Sequence, residues 1–380
     1  MPTMRLIEAA HGKDNNFNLM RLIAALAVLV THSFAIATGD PKTEPLRGWL
    51  GMTLGDFAVD AFFITSGFLV TASLARRQSA IDFVCARALR VYPALLVMLG
   101  LTVLLLGTAL SRLPAGEYLT HYGTFKYLAK CATLVFGIEY VLPGVFEGNP
   151  YKSAVNGSLW SMPWELRMYI LLLLLWLMAK RFGGDRSAQW GRAVLVVFVA
   201  AAVAHVATHF LRPTTEHGLR LLFMFFTGAA YHVLRRHIVL SCRLVTAAIV
   251  ALALALFRPE AFFVVYSVTI AYLLLWMAYA PTGFMRRFNL LGDYSYGTYI
   301  YAFPVQQLTA ALIPGISVLT MILVSGAATL TLAIASWHLI ESRSLDLKEQ
   351  LSHSTRRLIF AMWPFVGMRQ AATGKDSTRD

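Results

Sequence analysis

The chain alternates between long apolar runs and short polar breaks. Apolar runs cover residues 19–38, 54–75, 91–110, 158–180, 191–210, 218–234, 240–257, 262–280, 294–313 and 317–340. Each approaches the roughly 20 residues a helix needs to cross a hydrocarbon core. Backbone polar groups in lipid must be satisfied within their own segment, so these runs are predicted to be helices. A further run, 127–142, is shorter and carries Glu139, and Pro143-Gly144 closes it. The pattern predicts an all-α fold, a polytopic transmembrane helical bundle of about ten spanning helices. No polar stretch between the runs is long enough for a core of its own.

Charge decides how to count 127–142. If it does not cross and the N-terminus is inside, most Lys and Arg fall in inside loops, among them Arg76, Arg77, Arg87, Arg90, Arg235, Arg236, Arg286 and Arg287. The outside loops then hold Lys42, Arg47, Arg112, Lys126, Lys130, Lys152, Arg212, Arg220 and Arg258. If 127–142 did cross, every later loop would change sides and the bias would weaken. The positive-inside rule therefore favours ten spans, both termini cytoplasmic, and a re-entrant or surface-lying helix near 127–142. Residues 1–345 are expected to form the membrane domain. Residues 346–380 are expected to form a cytoplasmic tail, amphipathic over Leu358–Met368 and disordered over Gly374–Asp380.

Composition agrees. The chain is 57% hydrophobic and 14% charged, against about 25% charged in soluble proteins. A net charge of +13 would suggest nucleic acid in a soluble protein; here topology accounts for it, and no nucleic-acid partner is inferred. Cys85, Cys131 and Cys242 lie far apart with no Cys/His cluster, so neither a disulfide nor a metal site is expected.

The informative residues are those that interrupt the apolar pattern. Arg21 and His32 lie on the first run, eleven residues apart, hence on one face and about 16 Å apart along the axis. An ionisable residue inside a span is costly unless it faces a cavity or a partner, so His32 is a candidate for chemistry. Asp56 and Asp60, four apart, share a face of the second run, where a carboxylate could orient His32 or simply suit a helix N-terminus. Ser66-Gly67 reads equally as a functional hydroxyl or as close helix packing. Arg87 and Arg90 are neighbours on one helix, and Arg forks suit phosphates, although the same residues satisfy the positive-inside signal. Ser161, Glu165 and Tyr169 form one stripe of the fourth run, and Arg167 lies beside it. Trp160 reads as an interface residue or a sugar-stacking platform. His338 and Glu341 read as a structural helix end.

Taken together, these fragments resemble the acyltransferase 3 family of bacterial integral membrane acyltransferases, over nearly all of residues 15–345. Arg21 and His32 resemble its Arg-x10-His motif. Val59-Asp60 through Ser66-Gly67-Phe68 is similar to its VDxFFxxSGF stretch, and Arg87 through Pro93 to its RRxxR-x-x-P segment. Leu159-Trp160-Ser161 with Glu165 and Tyr169 resembles LWSLxxExxxY. Ser295-Tyr296-Gly297 through Pro304 resembles SYGLYLxHxP, and Glu341 the closing glutamate. Two positions depart: Ala86 replaces the first Arg of RRxxR, for which Arg76 or Arg77 could compensate, and Ala302 stands where many relatives carry His.

The resemblance implies a bacterial inner-membrane enzyme that moves an acyl group, commonly acetyl, from cytoplasmic acyl-CoA to a hydroxyl of a surface or lipid-linked glycan. No permanently bound cofactor is implied; acyl-CoA is a co-substrate. Arg77, Arg87 and Arg90, with help from Arg21, would hold the CoA phosphates. His32 would be the general base, oriented by Asp60 or Glu165, with Ser66 or Tyr169 as oxyanion donor. The alternatives are a glycan or lipid transporter or flippase without covalent chemistry, and acylation of a small molecule at the cytoplasmic face.

Overall fold

The computed structural model describes residues 4–10, 14–181, 185–211 and 217–362. Every apolar run is helical over at least part of its length. We label them α1 (Phe17–Thr38), α2 (Leu54–Arg77), α3 (Ala80–Leu110), α4 (Ala115–Thr120), α5 (Tyr122–Thr133), α6 (Met162–Arg181), α7 (Arg186–Leu211), α8 (His217–Val233), α9 (Cys242–Ala255), α10 (Pro259–Tyr279), α11 (Ser295–Leu312), α12 (Val318–Asp346) and α13 (Lys348–Met362). A two-stranded ribbon, Met4–Arg5 against Val239–Leu240, ties the start of the described chain to the start of α9.

Among the described residues, seven helices are long and apolar enough to cross a membrane: α1, α2, α3, α6 with its leading turn, α7, α10 and α12. Leu104, Leu105, Leu254, Val268 and Leu319 are exposed, a surface that suits lipid rather than water. The chain is a multi-pass membrane protein. The sequence predicts ten spans, and the seven fall short of it for a physical reason. α8 has 17 residues and α9 has 14, while α11 carries a dense set of Tyr, Thr and Gln side chains.

The predicted helix at 127–142 is shorter than expected. α5 ends at Thr133, where Leu134 turns left-handed at φ +58° and Gly137 follows at φ +80°. Glu139 then binds Lys126 at 2.6 Å and Lys130 at 3.7 Å. The α4–α5 hairpin runs back along α3. The Tyr118 hydroxyl donates to the Val103 carbonyl at 3.2 Å, and the Thr133 carbonyl accepts from Tyr92 at 3.4 Å. Those two levels are eleven residues apart on α3, about 16 Å.

The core is built on α1, α2, α8 and α11. Gly67 and Gly228 face each other across α2 and α8. A Cβ on Gly67 would collide with the Phe225 carbonyl, and one on Gly228 with the Ile64 carbonyl. Only glycine lets the two backbones approach this closely. α13 packs on the first turns of α3 through an Arg356–Asp82 pair at 2.7 Å. The rest of the expected tail, including Gly374–Asp380, lies outside the described residues.

Candidate active site

α1 carries Arg21 near one end and His32 near the other, as the spacing predicts. His32 opens into a cavity of about 530 Å3. Its walls come from α1, the 39–53 loop, the start of α2, the 140–160 segment and α11. The carboxylate beside His32 is Glu44, from the loop: its Oε1 lies 3.9 Å from His32 Nδ1. Phe303 of α11 packs edge-on against the imidazole, with ring centroids 5.2 Å apart. Glu44 also binds Arg47 at 2.5 Å. Burial pushes the Glu44 carboxyl up, against the opposing pull of Arg47. Trp160 lines the same cavity and packs against His217, with ring centroids 5.3 Å apart.

Asp60 does not reach His32. It is fully buried, lies 3.2 Å from Arg220 Nε, and accepts from the Tyr266 hydroxyl at 3.0 Å. Arg220 also binds Asp56 at 2.9 Å. Asp56 caps α2 by accepting from the Thr53 backbone N–H at 2.8 Å, while the Thr53 hydroxyl accepts from the Asp56 N–H at 3.0 Å. The reading of Asp56 as a helix-terminus residue therefore describes its geometry, with Arg220 added. Asp60 belongs to the α2–α8–α10 packing and orients no imidazole.

Glu165, Ser66 and Tyr169 meet as one hydrogen-bonded group. Ser66 Oγ donates to Glu165 Oε1 at 3.2 Å, the Tyr169 hydroxyl donates to the same oxygen, and Ser66 and Tyr169 lie 3.0 Å apart. The Ser66-Gly67 pair thus divides its duties: Ser66 faces the polar group and Gly67 packs. Arg87 sits over the Tyr169 ring, 5.8 Å from its centroid. Glu165, Tyr169 and Arg87 line a second cavity of about 280 Å3. Arg167 is elsewhere, exposed and stacked 4.5 Å over Trp164.

A neck of about 40 Å3 lies between the two cavities. It shares Met162 and Glu165 with the Arg87 cavity, and Val59 and Tyr299 with the His32 cavity. Arg21, Phe62 and Ser161 also line it. The Ser161 hydroxyl and the Tyr299 hydroxyl lie 2.7 Å apart, and Tyr299 donates to the Ser158 carbonyl at 2.7 Å. His32 thus lines one outer cavity while Glu165 stands in the wall shared by the neck and the Arg87 cavity, so the two are not side by side.

The arginines separate into two kinds. Arg90 binds Asp293 at 2.5 Å and Glu341 at 3.1 Å, and Arg21 binds Asp293 at 3.0 Å. Burial opposes ionisation of Asp293, but Arg90, Arg21 and Ser295 hold its carboxyl down at about 2. Arg21 and Arg90 are thus neutralised by carboxylates, which leaves neither as an open phosphate site. Arg77 and Arg87 make no ion pair among the described residues, and the Nε of each is buried without a hydrogen-bond partner. Three residues of this region escape the sequence reading: Glu44, Asp293 and His217. Glu44 sits in a loop whose charges look ordinary, and Asp293 reveals itself only once the fold brings it to Arg90, 203 residues away in sequence.

Comparison with known proteins gives this arrangement a class. The model of the acyltransferase 3 family, described as an acyltransferase domain, matches residues 14–338. The chain is 31% identical over 345 residues to a protein named O-acetyl transferase from Shigella phage Sf6, an alignment covering 88% of this chain and 96% of that one. It is 33% identical over 217 residues to Nodulation protein 10 of Rhizobium leguminosarum bv. viciae, covering 53% of each. No solved structure matches. The match spans α1 to α12 and takes in both cavities and the neck. The chain belongs to the acyltransferase 3 family and is a membrane-embedded O-acyltransferase.

Proposed function

We propose that the protein transfers an acyl group, acetyl in the first instance, from cytoplasmic acyl-CoA to a hydroxyl of a cell-surface or lipid-linked glycan. The observation that carries this reading is the row of three adjacent cavities, sharing wall residues, that runs from Arg87 to His32. It would lead a thioester arm from a largely apolar cavity with Arg87 in its wall towards an imidazole. Acetyl is favoured by the name of the phage relative. The distribution of Lys and Arg supports ten crossings, with the Arg87 end and both termini cytoplasmic, in a bacterial inner membrane. Residues 1–345 act as one catalytic unit on this reading.

In the reaction, Arg77 and Arg87 hold the CoA phosphates. The acyl thioester passes the neck and reaches the His32 cavity. Neutral His32 takes the proton of the acceptor hydroxyl as its oxygen attacks the thioester carbonyl carbon. The tetrahedral intermediate collapses, the carbon–sulfur bond breaks, and the imidazolium returns the proton to the CoA sulfur. Glu44, at ion-pair distance, stabilises the imidazolium between those steps. Trp160 offers the acceptor sugar an aromatic face. Glu165, with Ser66 and Tyr169, forms the polar wall past which the arm slides. Ser161 and Tyr299 supply hydroxyl donors in the neck, near the incoming carbonyl.

His32→Ala tests the assignment. The variant is expected to insert normally and to lose acylation by about 10²–10⁴-fold, the range of a general base. Mass spectrometry of surface glycans and lipids from a deletion strain, complemented by wild type or variant, reads the outcome. Full acylation by a well-inserted variant would sink the role of His32. A product unchanged in the deletion strain would sink the glycan acceptor.

A further inference from the structure

The family match ends at residue 338, yet the chain returns to the Arg87 region after it. Three contacts fix the path. Glu341 binds Arg90 at 3.1 Å, Thr355 Oγ1 lies 3.8 Å from Cys85 Sγ, and Arg356 binds Asp82 at 2.7 Å. As the chain advances from 341 to 356, its partners on α3 step back from 90 to 82. The two segments are therefore antiparallel. Lys348, the first residue of α13, falls between the levels of Arg90 and Cys85, alongside the turn that carries Arg87.

Like charges collect there. Burial, then the positive charges of Arg87, Arg77 and Arg90, pull the Lys348 ammonium below the usual lysine range. Of these four cations only Arg90 has carboxylate partners among the described residues. Asp346 beside Lys348 and Glu165 beside Arg87 offset part of this charge without forming an ion pair with it among the described residues; the remaining like charges repel one another, and the Arg356–Asp82 pair joins α13 to α3. Such a set suits a ligand carrying two or more negative charges in a small volume.

We propose that α13 supplies Lys348 as the third cation, with Arg77 and Arg87, of a diphosphate site that closes over the donor's phosphates. The inference rests on the acyl-CoA reading for the identity of the ligand, but not for the diphosphate chemistry. Arg356 is a positioning residue, holding α13 on α3.

The test uses full-length protein in nanodiscs, with acetyl-CoA, S-acetylpantetheine (which lacks the diphosphate) and inorganic pyrophosphate as probes. Lys348→Ala is expected to weaken acetyl-CoA binding about tenfold, in line with loss of one charge-assisted contact. S-acetylpantetheine binding should not change, and Lys348→Arg should restore most of the loss. Pyrophosphate should compete with acetyl-CoA in wild type and compete less well in Lys348→Ala. Arg356→Ala should weaken acetyl-CoA in the same direction, again sparing S-acetylpantetheine. Unchanged acetyl-CoA affinity in Lys348→Ala overturns the proposal, as does equal weakening of both thioesters. Pyrophosphate binding that depends on Lys348 in a protein that does not bind acetyl-CoA supports the diphosphate site and removes CoA as its ligand.

Discussion

Arg87 and Arg90 are the same residue type, one turn apart on the same helix, and they live in opposite electrostatic settings. Arg90 is enclosed by Asp293, Glu341 and the rings of Tyr296 and Trp337. Arg87 faces Tyr169 and a cavity, with no carboxylate at ion-pair distance among the described residues. A turn of helix rotates neighbouring side chains onto different partners, so one arginine becomes part of the frame and the other stays available to a ligand. Motif membership alone treats them alike; their neighbours decide.

Breaking the frame should have the largest effect. Arg90→Ala leaves Asp293 and Glu341 buried without their shared cation, at a cost of about 3–5 kcal/mol of stability. Thermal unfolding of the purified protein in detergent should show a clear drop. An unchanged transition would show that Arg90 is no more structural than Arg87.

Acid should sharpen the contrast with a smaller effect. Asp293 is held at about 2 in the folded protein, below its unfolded value of 3.8. A depressed carboxyl contributes stability that is full above the unfolded value and is lost as pH falls towards the folded one. Between about pH 4 and pH 2 the protein should lose roughly 2 kcal/mol from this residue. Asp293→Asn should flatten that part of the stability curve, measured by denaturant unfolding across pH.

Arg87→Ala should move stability least. Its transition is expected to shift by less than that of Arg90→Ala, because the change removes a cation whose Nε is buried without a partner and leaves no carboxylate orphaned. The KM for acyl-CoA should rise about tenfold, and kcat should change little, the signature of lost ground-state binding. Steady-state kinetics with varied acyl-CoA separates the two. A large loss of stability with unchanged KM would invert the comparison.

The sequence makes most of the helices legible because membrane insertion writes them as apolar runs, although α3 begins eleven residues before its run and α4 has no run of its own. The end of α5 is less legible: the Leu134 turn interrupts an apolar stretch without a proline. The site divides in the same way. The Glu165–Tyr169 spacing is local, so their shared helix face is readable. The partner of His32 is not, since Glu44 lies in a loop and Asp60 looks the better candidate by depth. Asp60 is occupied by Arg220, 160 residues further along the chain, and no local pattern announces that pairing. Lys348 is hidden for another reason: just past the last span it looks like an ordinary inner-leaflet charge.

The glycine contact between α2 and α8 has a mechanical consequence. With no side chain between the two backbones, there is no rotamer to give way and no layer to slide on, so the pair moves as a single beam. Ser66, Asp56 and Asp60 ride on one half of that beam and Arg220 on the other. On the proposed reading, room for a bulky acceptor beside His32 would come from the opposite wall, the loop that carries Glu44. The stretch of chain that would yield to the acceptor would then be the one that partners the imidazole.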